Sequence, residues 1–248
     1  MTALVQDRAR DRYVSADDPR TSEERRVLRW GGLAGILGGL MFIIVFFIVG
    51  VFIGADPAEP AGAVARFPDI RAGRTVENGL YLVVLVLWVA HFLALYRALR
   101  ETSLAPALFG SVLGIVGLAV LAVGALPHAA SLPLSNLYHA PGATPESQAT
   151  LALVWQGTQG ILNGQLVTGL VVLPFGLVAL GMAMLQAPSF GKGYGLLGVG
   201  LGVVGAGAAV ALLVDPLSFI AVIGVFALIV FHLVVGWKVY RLSRHEAH

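Results

Sequence analysis

Long stretches of this chain carry no charged side chain. Between Glu101 and Glu146 there is no Asp, Glu, Lys or Arg, and the same holds from Glu146 to Lys192, from Lys192 to Asp215 and from Asp215 to Lys238. Within these gaps lie runs of Leu, Val, Ala, Gly and Phe long enough to cross a bilayer, whose hydrocarbon core of about 30 Å needs about 20 apolar residues of helix. Backbone in hydrocarbon must satisfy its own N–H and C=O groups, so a spanning run is either a helix or a strand of a closed barrel. The alternation of a barrel strand is absent. The runs are also too apolar all round for helices lying on a surface. The expected fold is therefore all-α: a polytopic bundle of six transmembrane helices over residues 30–54, 79–97, 104–126, 166–185, 194–214 and 217–238. The six-helix domain covers residues 30–240, between a polar tail of residues 1–29 and a short tail of residues 241–248.

Composition narrows the function classes. Hydrophobic residues make up 57% of the 248 and charged residues 12%, against about 25% charged in a soluble domain. A soluble globular enzyme and a disordered chain are both excluded. The net charge of +2 forms no basic stripe, which excludes a nucleic-acid binder. The chain has no Cys, so disulfides, thiolate metal sites, a Cys nucleophile and covalently attached c-type haem are ruled out.

Positive charge sets the expected orientation. Arg8, Arg10, Arg12, Arg20, Arg25, Arg26 and Arg29, then Arg97 and Arg100, then Lys192, then Lys238, Arg241 and Arg244 all fall on one side, while the other side has only Arg66, Arg71 and Arg74. This puts both termini in the cytoplasm of a prokaryotic cell, with the protein in its plasma membrane. Trp30, Tyr96, Tyr194, Trp237 and Tyr240 would mark the inner interface, and Tyr81 and Trp155 the outer one. A cleaved signal peptide is the rival reading of the first span. The apolar run is too long for that, and 29 residues precede it.

The N-terminal tail reads as solvated and mostly disordered. Its Arg25, Arg26 and Arg29 would meet anionic lipid headgroups at the cytoplasmic face, at about 1 kcal/mol each. Thr21-Ser22-Glu23-Glu24 fits a capping box, which would start the first helix before the membrane. Asp215-Pro216 would cap the sixth. The first outer loop, residues 55–78, reads as an exposed connector holding at most one short helix. Pro127 is expected to stop the third helix, with Pro133, Pro141 and Pro145 keeping the following chain irregular. Residues 149–185 then run without a charge for about 55 Å of helix, too long for one ordinary span. A separate outer-face helix near 147–164 is expected before the fourth span; one long tilted helix is the alternative. Pro174 should interrupt that span and free the carbonyl of Leu170.

Small residues recur every fourth position at Gly31/Gly35/Gly39, Gly110/Gly114, Gly160/Gly164 and Gly198/Gly202/Ala206. Such Gly-xxx-Gly faces let helices approach closely in lipid, within the chain or in a homo-oligomer or complex with another membrane protein. Residues 191–207 hold eight glycines and should form the most central helix. They are not a phosphate loop, since no strand precedes them and no G-K-[ST] follows.

The chemistry-bearing residues are few. No charge sits deep in a span, which argues against an ion-coupled carrier and against intramembrane acid–base catalysis. Two intramembrane histidines remain, His91 and His232. Each is followed by an aromatic five positions on and a basic residue six positions on, so both should lie at one depth. Equal depth suits an axial pair for b-type haem or a pH-sensitive pair. It suits equally two imidazoles that each donate to a neighbouring carbonyl. On the outer side, Gln156, Gln159 and Asn163 share a helix face, with His128, His139 and Glu146 in the preceding loop. The amides need partners, which could be a polar ligand, a partner protein or another helix. The two histidines and Glu146 lack any recognised metal spacing, and no G-x-S-x-G or comparable catalytic context occurs.

The run Ala90-His91-Phe92-Leu93-Ala94-Leu95-Tyr96-Arg97-Ala98-Leu99-Arg100, with the polar break and the Gly/Ala/Leu-rich span after it, resembles a group of small six-span prokaryotic membrane proteins defined only as a domain of unknown function. The resemblance extends over residues 25–244 and implies six spans. It implies no catalytic residue.

The functional expectation is an integral membrane protein without catalytic machinery. It would act as a membrane subunit or small-molecule-binding protein, with an outer-facing polar site built from Gln156, Gln159, Asn163, His128 and His139. One alternative is a redox protein associated with haem b or a quinone through His91 and His232. Another is a facilitator for small neutral or apolar compounds.

Overall fold

The structure, a computed structural model, describes residues 19–57, 59–214 and 220–245. Seven α-helices follow one another: α1 (Pro19–Ile48), continued by one π-helical turn (Val49–Ile53), α2 (Pro60–Leu99), α3 (Leu104–Val123), α4 (Ala125–Tyr138), α5 (Pro145–Gln186), α6 (Lys192–Val214) and α7 (Ile220–His245). No strand occurs among the described residues. Among the described residues, six stretches are long and apolar enough to cross a membrane, beginning in α1, α2, α3, α5, α6 and α7. The chain is a multi-pass integral membrane protein. Its described ends lie together at one end of the bundle, the terminal end; the opposite end is called distal below.

The spans form a closed ring. α1 packs on α2 and α7, α2 on α3, α3 on α5, α5 on α6, and α6 on α7. In lipid this contact comes from close fit rather than from the hydrophobic effect, and glycines provide it. A Cβ on Gly32 would lie 2.5 Å from the backbone N of Tyr240 and 2.8 Å from the carbonyl of Gly236; one on Gly176 would lie 2.7 Å from the backbone N of Gly114. The faces around Gly31/Gly35/Gly39, Gly110/Gly114 and Gly198/Gly202 are thus used inside the chain. Gly160 and Gly164 differ, with open space where a Cβ would stand. The glycine-rich α6 is not the central helix either: Gly193, Gly200 and Gly207 face open space. The apolar windows of α5 and α7 are the more buried ones. Glycine spacing marks where backbones can approach, and only the neighbours decide which faces are used.

The middle of the bundle is filled by fully buried Trp88, Phe92, Leu173, Leu177, Leu180 and Phe231. α5 runs through Pro174 without ending. The proline ring sits against Gly205, where a Cβ would come within 3.0 Å of it, so the break in hydrogen bonding is accommodated by packing.

The distal end departs most from the sequence expectation. The segment read as a connector is helical: α2 has 40 residues, about 60 Å at 1.5 Å per residue, and its first half projects past the bilayer core. α5 has 42 residues and projects likewise, so the long continuous helix is the form adopted. An extra helix before the fourth span exists, but it is α4 at 125–138 rather than 147–164. Of the three prolines expected to keep this region irregular, only Pro141 lies outside a helix, in the turn between α4 and α5, while Pro133 lies within α4. Pro127 lies in the first turn of α4, and Pro145 opens α5 beside its N-cap, where the missing N–H is not needed. Thr144 accepts from the backbone N of Ser147 at 3.2 Å, and Glu146 adds an acid to that first turn.

The three distal segments share their own small core. Ala63, Val64 and Phe67 of α2 meet Ala152 and Trp155 of α5, with Leu132, Leu134 and Tyr138 of α4 packed against them. Trp155 is therefore a core residue with its ring edge on Phe67, centroids 5.3 Å apart, and not an interfacial anchor. Trp30 and Trp237 at the terminal end are exposed, 65% and 53%. At that end residues 19–29 belong to α1, so this last part of the tail is helical before the span. Thr21-Ser22-Glu23-Glu24 therefore lies inside α1 rather than at its start. Asp215-Pro216 lies outside the described residues.

Candidate functional site

α1 ends in a way that positions the distal site. After the π turn, Gly54 adopts φ +67°, a left-handed conformation that glycine accepts freely. The guanidinium of Arg66, on α2, donates to the carbonyls of Ile53 and, at 2.7 Å, of Ala55. This holds the chain so that Asp56 faces Arg74, Nη2 to Oδ2 3.0 Å. Arg74 also approaches Glu77 one turn on, at 3.6 Å, and His128 Nδ1 lies 3.7 Å from the same Glu77 oxygen. Glu77 Oε2 is buried without a hydrogen-bond partner, and the charge that lies nearest to it is that of Arg74.

Beside this chain of charges lies a cleft of about 280 Å³ between α2, α4 and α5, whose polar lining includes Asp56, Arg71, Arg74, Asn78, His128 and Gln159. Trp155 forms part of its wall, with an indole N–H that is buried and unpartnered. A second cleft, also about 280 Å³, lies deeper. Its walls are apolar, including Phe42, Phe46, Leu166, Val167 and Leu170, except for Glu77, Tyr81 and Asn163 toward its distal rim. The Tyr81 hydroxyl donates to the carbonyl of Leu121 at 3.1 Å.

The expected amide face divides between the two. Gln159 lines the polar cleft and Asn163 the apolar one, while Gln156 is exposed outside both. His128 belongs to the polar cleft. His139 does not: it is exposed at the end of α4 and bonds the carbonyl of Ser135 at 2.8 Å. Because α4 is a helix, the eleven residue steps from His128 to His139 separate them by about 16 Å along its axis. They therefore cannot converge with Glu146, and no group of three His, Asp or Glu suited to a metal occurs among the described residues.

Asp56, Arg71, Arg74, Glu77 and Asn78 escaped the sequence reading. A signal was present: Ala63, Val64, Phe67 and Ile70 recur at helical spacing, and Arg71, Arg74, Thr75 and Asn78 follow one another along an adjoining face.

His91 and His232 do lie at one depth, and they touch. Their ring centroids are 5.1 Å apart with planes at 63°, and both residues are fully buried. His91 Nδ1 lies 3.0 Å from the carbonyl of Gly31, while His91 Nε2 and both nitrogens of His232 have no partner. Gly35 makes room for this, since a Cβ there would come within 2.7 Å of His91 Nδ1. Phe92 and Phe231 close around His232, edge to face. The pair does not fit a haem: axial imidazoles stand on opposite faces of a porphyrin plane, whereas these rings are in direct edge-to-face contact with nothing between them. Neither cleft is lined by either imidazole.

Compared with known proteins, the chain matches no protein-family model, no curated protein and no solved structure.

Proposed function

We propose that this chain is a small-molecule-binding protein of the prokaryotic plasma membrane, without catalytic machinery, whose ligand occupies the distal polar cleft. The observation that carries the reading is the convergence of Asp56, Arg71, Arg74, Asn78, His128 and Gln159 on one concave site. The rest of the distal end needs no such collection: its own core is apolar and closed. A concave site with a few convergent polar groups is where a small ligand binds. The filled middle of the bundle counts against a facilitator, and the direct ring contact of His91 and His232 counts against the haem alternative.

The distal end then faces the exterior and the terminal end the cytoplasm. Support comes from the basic residues: Arg25, Arg26, Arg29, Arg97, Arg100, Lys192, Lys238, Arg241 and Arg244 lie at the terminal ends of their helices, and the positive-inside rule puts these in the cytoplasm. Exposed Arg26 and Arg29 at that end are placed to meet anionic headgroups.

Trp155 reports the test. The protein in lipid nanodiscs is titrated with butyrate, glutamate and betaine, and its emission is compared with that of Trp155→Phe. At least one probe is expected to change the Trp155 signal, with the response weakened in Gln159→Ala and kept in Gln156→Ala. If no probe changes it, or if the two glutamine variants behave alike, the reading fails.

A further inference from the structure

The two clefts follow one another along α5 and α2. On α5, Trp155 and Gln159 line the polar cleft and Asn163, Leu166, Val167 and Leu170 line the apolar one. Steps of three and four residues keep this row on a single helix face. From Gln159 to Asn163 is one turn. On α2 the polar cleft takes Arg74 and Asn78, and the apolar one takes Glu77 and Tyr81, again within about one turn. Glu77, reached from Arg74 and His128, stands at the junction.

We infer that the two clefts form one binding site for a single-chain amphiphile with an anionic head, such as a long-chain carboxylate. This rests on the small-molecule reading above and names its ligand class. Three observations converge. Each cleft alone is about 280 Å³, just under the range of about 300–1,000 Å³ that suits ligands of ordinary size, and the two joined fall inside it. The polarity is divided, with charges and amides at the distal end and aliphatic and aromatic carbon below, where the bilayer lies. The charge is also specific. Arg74 is neutralised by Asp56 and Glu77, whereas Arg71 lines the polar cleft, is exposed and has no side-chain partner among the described residues. It is the cation left for a ligand carboxylate, with the side-chain N–H groups of Asn78 and Gln159 lining the same cleft. Glu77, flanking the junction, excludes an anion from the lower cleft and so fixes which end of the ligand goes where. From Gln159 to Leu170 the groove runs about 16 Å, enough for an extended alkyl chain. An alkyl chain gains little by leaving lipid tails for apolar protein, so the head and its contact with Arg71 must select the ligand.

A hexadecanoate carrying a diazirine near its methyl end is photolysed with the full chain in lipid nanodiscs, and labelled residues are mapped. Labelling should concentrate on Phe46, Leu166, Val167 and Leu170. Excess dodecanoate should displace the label and dodecyltrimethylammonium should not. Arg71→Gln should reduce labelling about tenfold, the scale of one charge-assisted hydrogen-bonded contact. Leu166→Phe should reduce the labelling by filling the groove; Val167→Phe narrows the same groove should the first variant fail to fold. If butyrate still perturbs Trp155 while label spreads evenly over lipid-facing residues such as Leu37 and Val86, the amphiphile inference is overturned and the small-molecule reading stands. If neither probe acts, both fall. Displacement by the cationic amphiphile would overturn the assigned charge.

Discussion

The indole of Trp88 lies flat against the imidazole of His232, ring centroids 4.1 Å apart and planes 7° from parallel. Both side chains are fully buried, and neither the indole N–H nor either nitrogen of His232 has a hydrogen-bond partner. A buried unpartnered polar group costs about 1–3 kcal/mol. His232→Phe keeps a flat ring against Trp88 and removes two such atoms, so it should stabilise the protein by about 1 kcal/mol, whereas Trp88→Ala should cost about 3–5 kcal/mol. Thermal unfolding in one lipid system checks both. Protein from haem-replete cells should show no Soret band; a band that vanished in His232→Phe would contradict the packing described.

Gly32 and Gly160 give opposite expectations from the same substitution. Gly32→Ala drives a Cβ into the backbone of Tyr240 and Gly236. Moving α1 off α7 to relieve it should cost about 1–3 kcal/mol. Gly160→Ala meets open space and should be neutral, or stabilising by up to about 1 kcal/mol through helix propensity. Equal midpoints for the two variants would mean that α1 and α7 are not in backbone contact.

Thr144 tests whether α5 begins where its cap lies. Thr144→Ala removes the acceptor for the backbone N–H of Ser147 and should cost about 1 kcal/mol. Hydrogen exchange should accelerate over the first turn of α5 and leave residues near Pro174 unaffected. Unchanged exchange at Ser147 would refute the cap.

Arg66 holds the chain after α1 through the carbonyls of Ile53 and Ala55. Arg66→Ala should free Asp56 from Arg74 and so reduce the Trp155 response to butyrate several-fold, with little change in the unfolding midpoint because the site is at the surface. A midpoint that fell while the Trp155 response held would show that Arg66 serves the fold rather than the cleft.

Orientation is tested by reporter fusions. A fusion after Arg244 should be active only in the cytoplasm, and one inserted at Gly142, between α4 and α5, only outside. The reverse pattern would turn the proposed site toward the cell interior.

The sequence made six spans legible because hydrocarbon imposes one requirement, about 20 apolar residues per crossing helix, that composition alone reveals. The equal depth of His91 and His232 was legible for the same reason, since spacing from the basic anchors fixes height along a helix axis. Spacing does not fix rotation or neighbours. That the two imidazoles touch, and that Trp88 covers one of them, was decided by which faces of α1, α2 and α7 pack together. The distal end was misread where proline was taken to keep the chain irregular: α3 does end before Pro127, but Pro133 lies within α4 and Pro145 in the first turn of α5, where three helices packing on Phe67 and Trp155 outweigh local breaking tendencies.

Sequence by itself therefore settled the class of molecule, the number of crossings and the absence of charge within them, because transfer of each residue between water and lipid is a property of that residue. Only the tertiary structure decided that α2, α4 and α5 extend together beyond the spans and enclose a cleft. It also decided that Arg71, Asn78, His128 and Gln159 from three helices line it together, because a concave site is a relation between helices and no single stretch of chain contains it.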